Sequence, residues 1–157
     1  MTTDEYLREV GRLMPQAKQL ARDYKRATGR PLGITGEVAE YEAIRLLGLD
    51  VCEVRQAGYD ATCTHREFAR IQIKGRSLLE GATTGRLGKI DIRKEWDSVM
   101  LVMLDTELNP LEVYEAARAD LIEAITRPGS RSRNERWQLG ISQFKRVAKV
   151  VWSAQGE

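Results

Sequence analysis

A chain of 157 residues with 42% hydrophobic side chains can bury one substantial core and is too short for two comfortable ones. Its 25 basic and 23 acidic residues leave a formal charge of +2, so any attraction to a polyanion must come from a local patch and not from the net field. The two cysteines, Cys52 and Cys63, form no CxxC pair and there is one histidine, His65, which argues against a tetrahedral zinc centre; no apolar run reaches membrane-spanning length. With acidic residues near the N-terminus where a secretory signal would be basic, the expectation is a cytoplasmic protein with reduced thiols.

The first predicted element is a helix capped by Thr3, with Asp4 and Glu5 in its first turn. Its apolar seam of Tyr6, Val10, Leu13, Ala17, Leu20 and Tyr24 advances in alternating steps of four and three. Pro15 lacks an amide proton and predicts a kink or a division into two shorter helices, and Gly29 and Pro31 end the segment. A seam of this spacing serves either the chain's own core or a homodimer with a second copy. A second helix is predicted from Thr35, its candidate cap, to Gly48. Ala39, Ala43, Leu46 and Leu47 share one face, and Glu37, Glu40 and Ile44 share another.

Three short strands are predicted next, over 51–56, 59–64 and 68–75, with Gly58 separating the first two. The third is the clearest, because Ile71 and Ile73 point one way while Gln72 and Lys74 point the other. Residues 77–89, rich in glycine and threonine, predict a long loop able to close over a substrate. The apolar run 99–104 predicts a buried central strand, followed by a turn at Asn109 and Pro110, a hairpin partner over 111–114 and a helix over 117–125. The basic stretch 127–136 predicts a solvated loop. Trp137, Leu139 and Ile141 alternate like an edge strand, and Ser142 caps a last helix through Phe144, Val147, Val150 and Val151. The predicted class is α/β, a mixed sheet flanked by helices.

Three features point to one chemistry: Glu37 at a helix start, Asp60 in the glycine-led turn GYDA, and the pair Gln72 and Lys74 on one strand. Hydrolysis at a phosphate needs hard oxygen ligands for a divalent ion, and a cation beside the attacking water. Asp60 and Gln72 offer oxygens, the backbone carbonyl of Ile73 adds another where its strand end is unpaired, and Lys74 offers the cation. Glu37 joins them if its helix packs on these strands. Taken singly, Asp60 reads as a turn residue, Lys74 as a solvated lysine and Glu37 as a helix-start acid; their joint order raises the catalytic reading. His65 reads as a surface residue, Asp91 and Asp97 as loop and strand-start residues, and the cysteines as small packed side chains.

The strings GEVAEYEAIRLLG, AGYDA and RIQIKGR resemble the PD-(D/E)xK superfamily of restriction-endonuclease-like nucleases. The Gln-x-Lys variant is most similar to Mrr-like members of type IV restriction systems, and the short layout is similar to small bacterial proteins of the superfamily. The resemblance covers residues 35–114, about half the chain. It implies a single domain: an N-terminal helical segment over 1–30, a nuclease core over 34–115 and C-terminal helices with an edge strand over 117–157. It implies that Asp60 binds metal, Gln72 is the second ligand in place of an acid, Lys74 is the catalytic lysine and Glu37 is the helix carboxylate. The implied activity is magnesium- or manganese-dependent cleavage of nucleic acid, DNA before RNA, with an inactive nucleic-acid-binding or assembly module as the alternative. Tyr59 stands where the pattern has proline, and a neutral Gln72 binds magnesium less strongly than a carboxylate, so Glu37 or Glu40 must compensate. Arg76, Arg86, Lys89, Arg93 and Lys94 are the candidate phosphate contacts, with a second basic group at Arg131, Arg133, Arg136, Lys145, Arg146 and Lys149.

Overall fold

In the computed structural model, which describes residues 1–56, 58–66, 69–80 and 85–156, two helices, α1 (Thr3–Thr28) and α2 (Thr35–Leu47), lead into strands β1 (Asp50–Gln56), β2 (Tyr59–Thr62) and β3 (Arg70–Ser77). After a single 3-10 turn the chain continues through β4 (Ser98–Leu104), β5 (Pro110–Ala117), α3 (Arg118–Thr126), α4 (Arg131–Asn134), α5 (Ile141–Val147) and β6 (Lys149–Ser153). The strands form a six-stranded sheet in sequence order. Only β3 and β4 run parallel, and the other neighbours are antiparallel. The α/β class predicted from sequence, a mixed sheet with helices before and after it, is the architecture observed. No described helix is long and apolar enough to cross a membrane.

The sheet carries an apolar layer on each face. Val38, Ala39, Ala43 and Ile44 of α2 pack with Ile71, Ile73, Met100, Val102 and Leu104, whereas Val99, Leu101 and Met103 pack with Leu121, Ile125, Ile141 and Phe144 of the C-terminal helices. Side chains alternate across a strand, so β4 feeds both layers and every one of its residues is buried. This is why it reads as an unbroken apolar run.

The helix α1 departs from its predicted form. It is continuous through Pro15, which is exposed; the proline removes one hydrogen bond, to the Gly11 carbonyl, and both residues line an open cavity that water can enter. Its N-cap is Thr2 and not Thr3: Thr2 Oγ1 accepts from Glu5 N–H at 3.1 Å while Glu5 Oε2 accepts from Thr2 N–H at 2.8 Å, a reciprocal capping box. Tyr6 and Val10 pack against the core as expected, but farther along the helix Met14 and Ala21 are the buried residues. At about 100° per residue the face centred on Met14 and Ala21 lies to one side of this seam, so the core covers its border at Val10 and leaves Leu13, Leu20 and Tyr24 uncovered. In α2 the cap is Ile34, without a side-chain cap bond, and Thr35 is already helical.

The connector after β3 is anchored, at least from Gly85 onward, and not the open loop predicted. Leu87, Ile90 and Trp96 are buried, and Leu87 and Ile90 donate backbone bonds to Leu139 and Trp137 carbonyls at 2.8 and 3.0 Å. Residues 81–84 of the predicted loop, and Phe68 of the predicted third strand, lie outside the described residues. The C-terminal predictions also change. Part of the basic stretch forms α4, residues 137–141 make only an isolated bridge between Arg86 and Gly140, and the last helix stops at Val147 because Val150 and Val151 belong to β6. The short apolar alternation around Leu139 is produced by side chains closing over the connector, a contact no local period encodes.

At the start of β3 the connector is clamped by Arg70 and Asp97. Asp97 Oδ2 accepts from Arg70 N–H and Nε, both at 2.9 Å, Oδ1 accepts from the guanidinium at 3.0 Å, and Asp97 N–H donates to the Arg70 carbonyl at 2.8 Å. The Arg70 bonds hold the Asp97 carboxyl below the usual carboxylate range. A group whose pKa is lower folded than unfolded stabilises the fold above its unfolded pKa, about 3.9, and loses that contribution as pH falls through the folded value. The urea midpoint of Asp97→Asn is therefore expected below that of the parent at pH 7, with the gap narrowing as pH falls below about 4. A gap that does not change with pH would remove the ionic origin.

Candidate active site

The site starts where β2 and β3 part. They pair at Ala61 with Ile71 and at Thr62 with Arg70. One residue beyond, the side chain of Asp60 takes the place of a backbone acceptor: Oδ2 accepts from Ile73 N–H at 2.7 Å. Along a strand the N–H and C=O of one residue project to the same edge, so the Ile73 carbonyl also faces this gap. The turn that delivers Asp60 depends on Gly58, at φ 100°, where a Cβ would come within 2.8 Å of Lys94 Cβ and 3.0 Å of the Glu95 carbonyl.

The structure brings Glu40, and not Glu37, to Asp60. Glu40 and Asp60 line one cavity of about 230 Å³ with Tyr6, Ile44, Val51 and Cys52. Glu37 is exposed and lines neither this cavity nor the one around Lys74. Both acids lie on the stripe that ends at buried Ile44, but Glu40 is one turn from it and Glu37 two, and that difference in depth was the available signal. The cavity has a negative potential. Burial pushes the Tyr6 hydroxyl up to about 12 and raises the Cys52 thiol, and Glu40 contributes to both shifts, with Asp60 acting on Cys52 as well.

On the other side of Ile73, Lys74 lines a cavity of about 300 Å³ with Gly33, Thr35 and Gly36 at the start of α2, Arg76, and Gly88 of the connector. Its Nζ donates to the Lys89 carbonyl at 3.2 Å. Burial holds the Lys74 pKa below the ordinary lysine value and Arg76 lowers it further, while the opposing pull of Asp60 shows that the two charges feel each other. Gln72 shares the strand face of Lys74 by alternation, as predicted, and its Oε1 is buried without a hydrogen-bond partner among the described residues. An orphaned buried acceptor costs about 1–3 kcal/mol and is the kind of atom a bound cation or donor would satisfy.

Gly75 allows this assembly. A Cβ there would sit 2.5 Å from Ala39 Cβ and 3.0 Å from the Thr35 carbonyl, so the first turn of α2 lies directly on β3. Gly75→Ala is expected to force the helix off the strand and cost about 1–3 kcal/mol, read as a lower urea midpoint with an unchanged m-value. Unchanged stability would mean that α2 is not seated as described.

The predicted phosphate contacts are dispersed along the connector. Arg76 donates to the carbonyls of Gly75 and Arg86 at 2.6 and 3.1 Å, and Arg86 to Ser132 Oγ. Lys89 Nζ and the Arg93 guanidinium lie 4.9 and 4.8 Å from the Trp137 ring, Arg93 also pairs with Asp91, and Lys94 is exposed. Among the described residues no three His, Cys, Asp or Glu side chains converge. The oxygens available around this gap are the Asp60 and Glu40 carboxylates, which line one cavity, and the neutral Ile73 carbonyl and Gln72 amide oxygen on β3. That composition suits magnesium, which keeps several waters and takes only one or two protein carboxylates, better than zinc. No family model matches the chain, and no curated protein matches it.

Proposed function

We propose that the chain is a divalent-metal-dependent nuclease of the restriction-endonuclease-like type, hydrolysing phosphodiester bonds in nucleic acid, with DNA as the substrate and magnesium or manganese as the ion. The observation that carries this reading is the meeting of Asp60 with the Ile73 amide at 2.7 Å, beside Lys74 and in one cavity with Glu40. In this assignment Asp60 and Glu40 hold the ion, with the Ile73 carbonyl and Gln72 amide oxygen as neutral donors, and Glu40 supplies the negative charge that an amide at position 72 lacks. A bound divalent ion supplies Lewis-acid polarisation of the phosphoryl oxygen and an activated water. Lys74 positions the attacking water and offsets charge that grows on the phosphate, and Arg76, Arg86, Lys89, Arg93 and Lys94 contribute affinity for the backbone without reading sequence.

The neutral Gln72 and the pair of carboxylates in place of three favour a second reading, a nucleic-acid-binding or assembly module of the same fold without hydrolysis. Purified protein incubated with plasmid, single-stranded and branched DNA and magnesium or manganese separates the two. Cleavage is expected, lost in Asp60→Ala and Glu40→Gln but retained in Glu37→Gln. Salt-dependent DNA binding without cleavage would select the second reading, and cleavage surviving Asp60→Ala would identify a contaminant.

A further inference from the structure

The inner face of α1 is fully used by its own chain. Met14 and Ala21 are buried, Lys18 Nζ bonds Glu42 at 2.7 Å, and Arg22 donates to the Glu107 carbonyl at 3.0 Å. Beside that face runs a second apolar stripe that no described residue fully covers: Leu13, Leu20 and Tyr24 are 47%, 59% and 38% exposed, with Ala17 between them. The spacing from 13 to 17, 20 and 24 is the four-three-four step of a coiled-coil seam, about 17 Å long at the rise of an α-helix. Exposed leucines in this order, unlike leucines scattered singly, form a line that one helix can cover.

Charge names that helix. Along the solvent edge of the stripe stand Glu9, Arg12, Gln16, Gln19, Asp23 and Arg26, already ordered by the pairs Arg12 with Glu9 at 3.6 Å and Arg26 with Asp23 at 3.2 Å. Read forwards the signs are minus, plus, neutral, neutral, minus, plus, and read backwards each is reversed. Two copies of α1 laid antiparallel therefore place Glu9 against the partner's Arg26 and Arg12 against the partner's Asp23, with the neutral glutamines at the centre. An alignment two residues away, a slide of about 3 Å, stacks Leu13 on the partner's Tyr24 and Ala17 on the partner's Leu20. A parallel pair would instead set this edge against the opposite border of the partner's stripe, at Met14 and Ala21, which are buried in their own chain and offer the charges no complement.

We propose that this stripe is the interface of an antiparallel homodimer formed by α1 of two copies of the chain. The inference is independent of the nuclease reading, since the stripe includes none of the residues assigned to the site. Light scattering on the full chain is expected to give twice the mass of 17.8 kDa, and Leu20→Glu to give a folded monomer whose thermal midpoint no longer rises with protein concentration, because Leu20 is exposed within one chain. Orientation is read by cysteine pairing: Leu13→Cys mixed with Tyr24→Cys cross-links under mild oxidation, whereas neither variant cross-links to itself through the new site. Arg12→Glu weakens association on the order of tenfold, and Arg12→Glu/Asp23→Arg restores it. That double variant abolishes both pairs within the helix, so recovery can come only from contacts between copies. A monomer at every concentration, self-linking of Leu13→Cys, or failure of the double variant to recover would each overturn the proposal.

Discussion

Lys74→Ala is expected to lower the rate of DNA cleavage at saturating enzyme by at least about a hundredfold while leaving DNA affinity within a few-fold of the parent. The loss of rate follows from the place of Lys74 beside Asp60 and Ile73, where its ammonium is coupled to the carboxylate that would hold the ion. A positively charged group in a poorly hydrated cavity acts on growing phosphate charge more strongly than it would in water. On the proposed reading affinity would survive because Arg76, Arg86, Lys89, Arg93 and Lys94 would each still contribute a sequence-independent share. The fold also survives, since the hydrogen bond lost by the variant among the described residues is the one from Nζ to the Lys89 carbonyl, at 3.2 Å. Single-turnover cleavage, with binding measured separately in calcium, checks both halves. Loss of binding in proportion to rate would reduce Lys74 to one more phosphate contact, and an unchanged rate would remove it from the site.

The second large effect concerns stability. Glu42 is 2% exposed and is gripped from two elements: Lys18 Nζ of α1 donates to Oε1 at 2.7 Å, and Arg45, one turn farther along α2, donates to Oε2 through Nε at 3.0 Å and its guanidinium NH2 at 2.6 Å. Removing one member of a buried pair leaves the other charge desolvated and uncompensated, at about 3–5 kcal/mol. Arg45 is 46% exposed and turns back to water, and Lys18, 12% exposed, keeps Asn109 Oδ1 at 3.4 Å beside the open cavity, so Glu42→Ala is expected at the lower end, about 3 kcal/mol. For a domain of this length that corresponds to a fall in Tm of roughly 6–12 °C. Replacing Lys18 and Glu42 together by methionine is expected to recover most of the loss, because no charge is then left unpaired. A cost under about 1 kcal/mol for Glu42→Ala would show that water reaches the pair as it does at an ordinary surface ion pair.

A comparable buried grip lies elsewhere on the same face of the sheet. Glu115 of β5 is 6% exposed and accepts from Ser98 Oγ at 2.6 Å and from Arg66, in the turn between β2 and β3. Neither cluster was legible in the sequence. Glu42 lies on neither of the two faces read along its helix, 39/43/46/47 and 37/40/44, and Glu115 falls one residue past the strand predicted over 111–114. What buries them is the arrival of α1 in one case and of Arg66 in the other, from 24 and 49 residues away.

Local periodicity determined what depends on local geometry. The alternation of Ile71 and Ile73 with Gln72 and Lys74 placed β3 and aligned two candidate groups on one face, the run 99–104 identified a strand buried on both sides, and Gly48 ended α2 in a left-handed cap. These features follow from backbone repeats of two and 3.6 residues, which any stretch of chain displays on its own. Tertiary structure alone decided that Glu40 meets Asp60, that the connector is pinned by Leu87, Ile90 and Trp96, and that half the seam of α1 turns away from the core. Each of those outcomes depends on which faces of distant elements come together, and that choice is made by long-range packing, where a difference of one helical turn separates a side chain in a cavity from one in water.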